Sequence, residues 1–137
     1  MTEPLRMKKT SLRFCLLMFG ALSASVVSAG FEQANAAFMA GNYVQAQKEL
    51  KPLLAKGDAR SQYAMGVMAE NDIGMPKNPR LAAEWYLKAA KQGNTDAQYN
   101  LGAMNEHGVG IPVNYVEAAR WYIPAAEQGD IDALSNL

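Results

Sequence analysis

The sequence predicts an all-α fold, an α/α superhelical solenoid built from helix-turn-helix repeats. The first observation is a repeat: moving residues 61–93 along the chain by 36 positions lays them over residues 97–129. A period of roughly 20–50 residues is typical of solenoids, in which each unit is buried by its neighbours. The second is that turn and capping residues recur at the same offset. The matched pairs are Gly66 and Gly102, Gly74 and Gly110, Pro76 and Pro112, Asn78 and Asn114, Trp85 and Trp121, Tyr86 and Tyr122, and Gly93 and Gly129.

Residues 1–29 have the three parts of a secretory signal peptide. A basic start is followed by the apolar run Phe14 to Val27, and small residues precede Gly30. We expect cleavage after Ala29 and a periplasmic or secreted protein. The alternative is an uncleaved membrane anchor, but the apolar run is shorter than the roughly 20 residues that a spanning helix needs.

The single cysteine and the net charge exclude several classes of chemistry. Cys15 lies early in the apolar run, whereas a lipidated precursor places its cysteine just after that run, so we expect no lipid anchor and no thiol in the mature chain. Removing residues 1–29 leaves nine basic and twelve acidic side chains, a net charge of −3. Nucleic acid and anionic membranes are therefore not expected partners.

Residues 30–57 predict a degenerate first unit. Phe31 to Ala40 has the composition and spacing of a short helix, and Gly41-Asn42 ends it. Apolar residues at steps of three and four predict a second helix from Tyr43 to Lys56, closed by Gly57. Pro52 lies inside this helix and is expected to bend it.

Residues 58–93 predict the first complete unit. Asp58 is expected to cap a helix A that runs from Ala59 to about Glu70, in which Gly66 lets another backbone approach closely. A loop over residues 71–77 follows. Asn78-Pro79 pairs a capping side chain with a proline at the first helical position, so helix B begins there. Gly93 is expected to end helix B in a left-handed conformation.

Residues 94–129 predict a second complete unit, and residues 130–137 the start of a truncated third. Asn94 or Asp96 caps helix A, and Asn114 with Glu117 predicts a capping box for helix B. Pro124 stands at the register of Lys88 and Pro52. Because the third unit stops after two turns, we expect the face around Trp121, Ile123 and Ala125 to lack a cap, so that the natural chain continues or something else covers this end.

The repeat resembles the Sel1-like repeat family in the following motifs of one unit: Ala97-Gln98-Tyr99-Asn100-Leu101-Gly102, Gly108-Val109-Gly110-Ile111-Pro112, Ala118-Ala119-Arg120-Trp121-Tyr122 and Ala125-Ala126-Glu127-Gln128-Gly129. The resemblance implies a superhelix related to tetratricopeptide repeats, used for protein–protein interaction and often found in exported bacterial proteins. Two departures stand out. The aromatic that the resemblance implies near the end of helix A is Ala69 or Asn105, and the first loop glycine of one unit is Asp72.

No catalytic, metal or cofactor site is predicted. The glycines Gly108 and Gly110 lack the preceding strand and following Lys-Ser of a phosphate loop. His107 has only Glu106 beside it, too few groups for a metal site or an oriented general base. Trp85 and Trp121, with the tyrosines that follow them, are expected to serve packing, although a sugar or peptide groove is the alternative.

The predicted binding surface is the face of helix A that points away from helix B. With Ser61, Met65 and Met68 taken as buried, and likewise Ala97, Leu101 and Met104, opposite rows remain that stack into one concave strip. Tyrosines and acidic rims on this strip would suit a protein or peptide with basic groups, whereas ordinary solvated surface is the alternative. We call these six residues the helix A strip: Tyr63, Val67, Glu70, Tyr99, Ala103 and Glu106.

The function predicted from these features is that of an exported, non-catalytic adaptor. The alternative from another class is a β-lactamase-like hydrolase, because a cysteine-rich branch of similar repeat proteins includes such enzymes. That branch relies on disulfides, which the mature chain cannot form, and no serine stands in a Ser-x-x-Lys arrangement. A truncated gene remnant without function is the third hypothesis.

Cleavage after Ala29 can be tested directly. The intact mass of protein recovered from the periplasm or medium should equal that of a chain beginning at Gly30. Recovery of only the full-length chain, in the membrane fraction, would show that the segment is an anchor.

Overall fold

The computed structural model describes residues 26–137, and every regular element in that range is an α-helix. The predicted all-α solenoid is therefore confirmed. In chain order the helices are α1 (Val26–Met39), α2 (Tyr43–Ala55), α3 (Ala59–Glu70), α4 (Pro79–Lys91), α5 (Thr95–His107), α6 (Tyr115–Glu127) and α7 (Ile131–Ser135).

Most of the predicted signal peptide, with Cys15, lies outside the described residues. Only its last four residues are described, and they form the first turn of α1. Among the helices of residues 26–137, none is both long enough and apolar enough to cross a bilayer.

Consecutive helices pair into antiparallel hairpins, and the hairpins stack. The pairs are α1 with α2, α3 with α4, and α5 with α6, while α4 packs on α5 and α6 packs on α7. The A helices α3 and α5 are each buried at nine positions, whereas the B helices α4 and α6 are buried at five and three. Each A helix is thus enclosed by neighbours, and the B helices form the outer layer.

Side-chain caps begin the helices at a regular spacing. Asn42, Asn78 and Asn114 cap the B helices, and in each case the side-chain oxygen accepts a hydrogen bond from the backbone amide three residues on. Asp58 and Asn94 cap α3 and α5 in the same way, so Asn94 and not Asp96 is the cap. Both helices of each complete unit therefore begin at a polar side chain that recurs with the repeat.

The predicted capping box at Asn114 is half present. The Asn114 side chain accepts from the Glu117 amide, but the Glu117 carboxylate pairs with Arg120 at 3.1 Å. The Asn114 amide instead donates to the carbonyl of Asn105, over 2.8 Å, just as the Asn78 amide donates to Ala69. This bond folds the loop back onto the end of helix A and removes the donor that a capping box would use.

Asp72 has the same left-handed backbone conformation as Gly108, the residue at the matching position of the next unit. Its φ is +57°, and that of Gly108 is +68°. Aspartate tolerates the left-handed region better than most residues because its short side chain can bond locally. The substitution at this loop position therefore leaves the turn unchanged.

The first unit departs from the repeat at its first helix. The predicted helix over residues 31–40 begins earlier, at Val26, and ends at Met39. Only residues 40–42 connect it to α2, whereas residues 71–78 connect α3 to α4. The first hairpin consequently lacks the long loop of the two complete units.

Gly66 lies in close contact with an aromatic ring. The sequence analysis expected another backbone at this position. A Cβ atom at this position would lie 2.5 Å from the ring of Tyr86, and one at Gly102 would lie 2.7 Å from the ring of Tyr122. Both tyrosines are buried. Glycine is required because no side-chain atom fits between the helix and the ring.

The C-terminal face is partly covered. Ala125, predicted to lack a cap, is completely buried in a cluster that includes Ala133 of α7. Trp121 is half-buried, and Ile123 is exposed. The prediction of an open face is therefore wrong for Ala125, because one turn of α7 is enough to cover the small residue.

Substituting alanine for Gly66 should destabilise the fold, because the new methyl group would overlap the Tyr86 ring. We expect a loss of about 1–3 kcal/mol in the free energy of unfolding, measured from urea midpoints. Gly30→Ala is the matched control: its Cβ would meet only Leu53 at ordinary distance, so the urea midpoint should change little. Equal destabilisation by both changes would contradict the close packing of Tyr86 against Gly66.

Candidate functional site

The structure buries most of the predicted helix A strip. Tyr63, Val67, Glu70, Tyr99 and Ala103 each expose less than 5% of their surface, and Glu106 is half-buried. The prediction that these residues face solvent is therefore wrong for five of the six. The partner surface predicted on them is not available in this fold.

The sequence analysis assigned the wrong face of helix A to solvent, as if the helix were rotated about its axis. Tyr63 and Glu70 lie three residues before and four after Gly66, so they share the face on which Gly66 receives Tyr86. The rings of Tyr63 and Tyr86 are 5.7 Å apart, and those of Tyr99 and Tyr122 are 5.8 Å apart. The tyrosines therefore face helix B. The close approach at the glycine was the signal in the sequence that would have assigned this face correctly.

Each buried B-helix tyrosine is at the centre of a polar network. The Tyr86 hydroxyl donates a hydrogen bond to Glu70 Oε2 at 2.5 Å, and the side chain of Asn100, in the next unit, lies near this hydroxyl. The Tyr122 hydroxyl likewise donates to Glu106 Oε2 at 2.6 Å, and the side chain of Asn136 lies near it. Each hydroxyl thus joins the two helices of its own unit and lies against the unit that follows.

Burial changes the acidity of these groups. Loss of solvent raises the pKa of Glu70 from its ordinary 4.5 to about 7, against the opposing effects of the Tyr86 hydrogen bond and the Lys77 charge. Its other oxygen, Oε1, accepts no hydrogen bond from any residue in the range 26–137. Burial and the neighbouring carboxylates raise the pKa of Tyr86 and Tyr122 above the ordinary range for tyrosine. Glu70 is therefore a structural carboxyl group whose charged form is disfavoured.

A groove lies on the outer side of the molecule, between the two complete B helices. Its volume is about 530 Å³, within the roughly 300–1,000 Å³ of ligand pockets. We call it the α4–α6 groove, and its lining residues are Arg80, Ala83, Glu84 and Leu87 of α4, Leu101 and Asn105 of α5, Gly110, Ile111 and Pro112 of the loop, and Glu117 and Trp121 of α6.

Charged side chains border an apolar floor in this groove. Arg80 pairs loosely with Glu84 at 3.9 Å and is 83% exposed, while Glu117 pairs with Arg120 at 3.1 Å. Asn105, where the resemblance implies an aromatic residue, is buried and donates to the Leu101 carbonyl. None of the helix A strip lines the groove, so the sequence prediction missed it. The recurring tryptophan, set aside as packing, was the available signal.

The remaining candidates do not assemble into a site within residues 26–137. His107 Nε2 lies 3.7 Å from Glu106 Oε2 on an exposed helix end. No group of three or more His, Cys, Asp or Glu side chains in the described range could hold a metal ion. Gly108 and Gly110 occupy left-handed positions in the interhelical loop, and a Cβ at Gly110 would lie 2.5 Å from Pro79. Those glycines serve the turn and its contact with the preceding unit.

Comparison with protein families identifies the repeat. The family model described as the Sel1 repeat matches residues 59–94 and 95–130, which correspond to the two complete units. Among curated proteins, chitin synthase regulatory factor 3 of Schizosaccharomyces pombe is 53% identical over 38 residues. That match covers 28% of this chain and 4% of the relative, so the chain corresponds to a small part of that protein.

Solved structures with this fold include a Sel1 repeat protein from Oxalobacter formigenes. It is 40% identical with a TM-score of 0.69, over 73% of this chain and 41% of that one. Cysteine rich protein B of Helicobacter pylori is 22% identical with a TM-score of 0.70, over 99% and 98%. A protective antigen of uropathogenic Escherichia coli with an SLR fold is also 22% identical, with a TM-score of 0.66, over 97% and 35%. At 22% identity the last two likenesses show the fold alone.

The buried carboxyl group predicts how stability depends on pH. Below pH 4.5 Glu70 is protonated in both the folded and the unfolded chain, but between pH 4.5 and about 7 only the folded chain keeps the proton. The free energy of unfolding should therefore fall as the pH rises through this window, by about 3 kcal/mol in total. Glu70→Gln keeps an acceptor for Tyr86 without a charge, so its urea midpoint should change much less between pH 5 and pH 8. Parallel curves for the two proteins would contradict this account.

Proposed function

Because the chain belongs to the Sel1 repeat family, whose members generally mediate protein–protein interaction, we propose that it is an exported, non-catalytic module that binds a protein partner at the α4–α6 groove. The helix A strip does not serve as the binding surface in this proposal. Five of its six residues are buried in the interior, against which the B helices pack.

The observation that carries the proposal is the groove itself. It is concave, its floor is formed by leucine, alanine and tryptophan side chains, and charged residues stand at its border. An apolar floor with a few polar groups at the rim is the usual composition of a binding site. The groove also spans two units, so it exists only when the repeats are stacked.

Export rests on the N-terminal sequence alone: its basic start, its apolar run and the small residues before Gly30 are those of a cleaved signal peptide. The proposed place of action is the periplasm or the exterior of a bacterial cell.

The non-catalytic part of the proposal is supported by the location of the titratable groups. Glu70 has a pKa near neutrality, which is common among catalytic acids, but it is buried against Tyr86 and does not line the groove. Glu84 and Glu117, which do line it, each lie beside an exposed arginine, at 3.9 Å from Arg80 and 3.1 Å from Arg120. The groove therefore offers recognition by shape and charge.

Photo-crosslinking in the cell envelope tests the proposed function. A photoreactive phenylalanine derivative replaces one exposed residue at a time: Arg80 at the groove, Lys56 after α2, or Tyr115 at the start of α6. We expect one discrete adduct, identified by mass spectrometry, from position 80. Position 56 is the matched control, because it removes the same charge at a distance from the groove.

The possible outcomes separate the two parts of the proposal. Adducts from position 56 or 115 alone would support the adaptor function and refute the groove as its site. Absence of a specific adduct at all three positions would contradict the adaptor function itself.

A further inference from the structure

We propose that the α4–α6 groove receives a lysine side chain of the partner protein, with the ammonium group over the indole ring of Trp121 and with Glu117 and Glu84 as counter-charges. This inference rests on the proposed function, because it names the chemistry that the binding module recognises.

The first complete unit contains the same arrangement within the chain. Lys88 Nζ lies 4.4 Å from the centroid of the Trp85 ring, three residues earlier on α4. An ammonium group within about 6 Å of an indole centroid is attracted by the negative face of the ring. The tryptophan at this register of a B helix therefore presents a face that a lysine can occupy.

One repeat later the ring is present and the lysine is missing. Trp121 occupies the register of Trp85 in α6, but Pro124 stands where Lys88 would be. Proline has no charge to place over the indole. Trp121 is half-buried and lines the groove, so its ring can be reached from outside.

The second unit also adds a carboxylate where the first has an apolar residue. Glu117 matches Leu81 in the repeat and lies four residues before Trp121, on the same face of α6. Glu84 borders the groove from α4. The arginine partners of both carboxylates are largely exposed, and exposed ion pairs are weak, so each carboxylate can share its charge with an incoming ammonium group.

The floor of the groove suits the rest of a lysine side chain. Leu87 and Ile111 are partly exposed and present apolar surface along which the four methylene groups can lie while the charged end reaches the rim; the buried side chains of Ala83 and Leu101 lie beneath them. The volume of about 530 Å³ leaves space for apolar residues on either side of the lysine. A segment with a lysine between aliphatic residues therefore matches the groove in both shape and charge.

The test is titration of the ¹⁵N-labelled protein with acetyl-Ala-Leu-Lys-Leu-Ala-amide, followed by nuclear magnetic resonance. The chain has two tryptophans, and Trp85→Phe and Trp121→Phe assign their indole N–H signals. We expect a saturable shift of the Trp121 signal that weakens as salt is added. The same peptide with norleucine, the uncharged analogue of lysine, should bind about fivefold or more weakly.

A variant in which the chain's own lysine occupies the face of Trp121 gives a more direct test. Pro124→Lys places an ammonium group three residues after Trp121, as Lys88 follows Trp85, and should abolish peptide binding. Lysine is a better helix former than proline, so this variant should fold. Pro52→Lys is the matched control: it makes the same substitution at the same register of the first unit, where Glu49 replaces the tryptophan, and should bind as the original chain does.

The results separate this inference from the proposed function. Equal binding of the lysine and norleucine peptides, or unchanged binding by Pro124→Lys with normal circular dichroism, would overturn the lysine site. A crosslinked partner captured equally by Pro124→Lys and Pro52→Lys would also overturn it, while the adaptor function would stand. Peptide binding that Pro124→Lys abolishes, without any crosslinked partner, would support the site and contradict the adaptor function.

Discussion

The insertion of a helix B tyrosine ring against a helix A glycine is the contact on which the rest of the structure depends. Tyr86 fits where any side chain at Gly66 would overlap it, so the two helices of the hairpin can approach closely only with this pair of residues. The same hydroxyl donates a hydrogen bond to Glu70 and lies near Asn100 of the next unit. One residue therefore sets the spacing within a hairpin and lies against the following one.

This contact also explains why the helix A strip is buried, although the sequence analysis expected it to be exposed. Once the ring occupies the face of Gly66, the neighbours of that glycine on the helix, Tyr63 and Glu70, must lie in the interior. Burial of a carboxyl group costs free energy unless it stays neutral, which is consistent with its raised pKa. The A helices are largely buried, so the surface that a partner could reach belongs to the B helices and the loops.

The repeat period and the ends of the helices could be predicted from the sequence, because they depend on neighbouring residues alone. Asp58, Asn78 and Pro79 begin helices where the capping rules place them, and α3 has the predicted bounds. The rotation of helix A could not be obtained from apolar spacing, since α3 is buried on nearly every side and its polar residues carry no outward bias. The groove escaped prediction for a related reason: it is formed by residues of three helices and a loop, and no single stretch of sequence contains it.

The comparison of one repeat with the next separates residues that hold the fold from residues that are free to acquire a function. Positions identical in both complete units, such as Tyr86 and Tyr122, make the same contact in each of these two hairpins. Lys88 and Pro124 occupy the same position in the two units. The fold does not require a particular residue there, because the hairpin forms with either one. In an otherwise repetitive structure, recognition must depend on these differences, since a surface repeated identically could not direct a partner to one groove in preference to its neighbour.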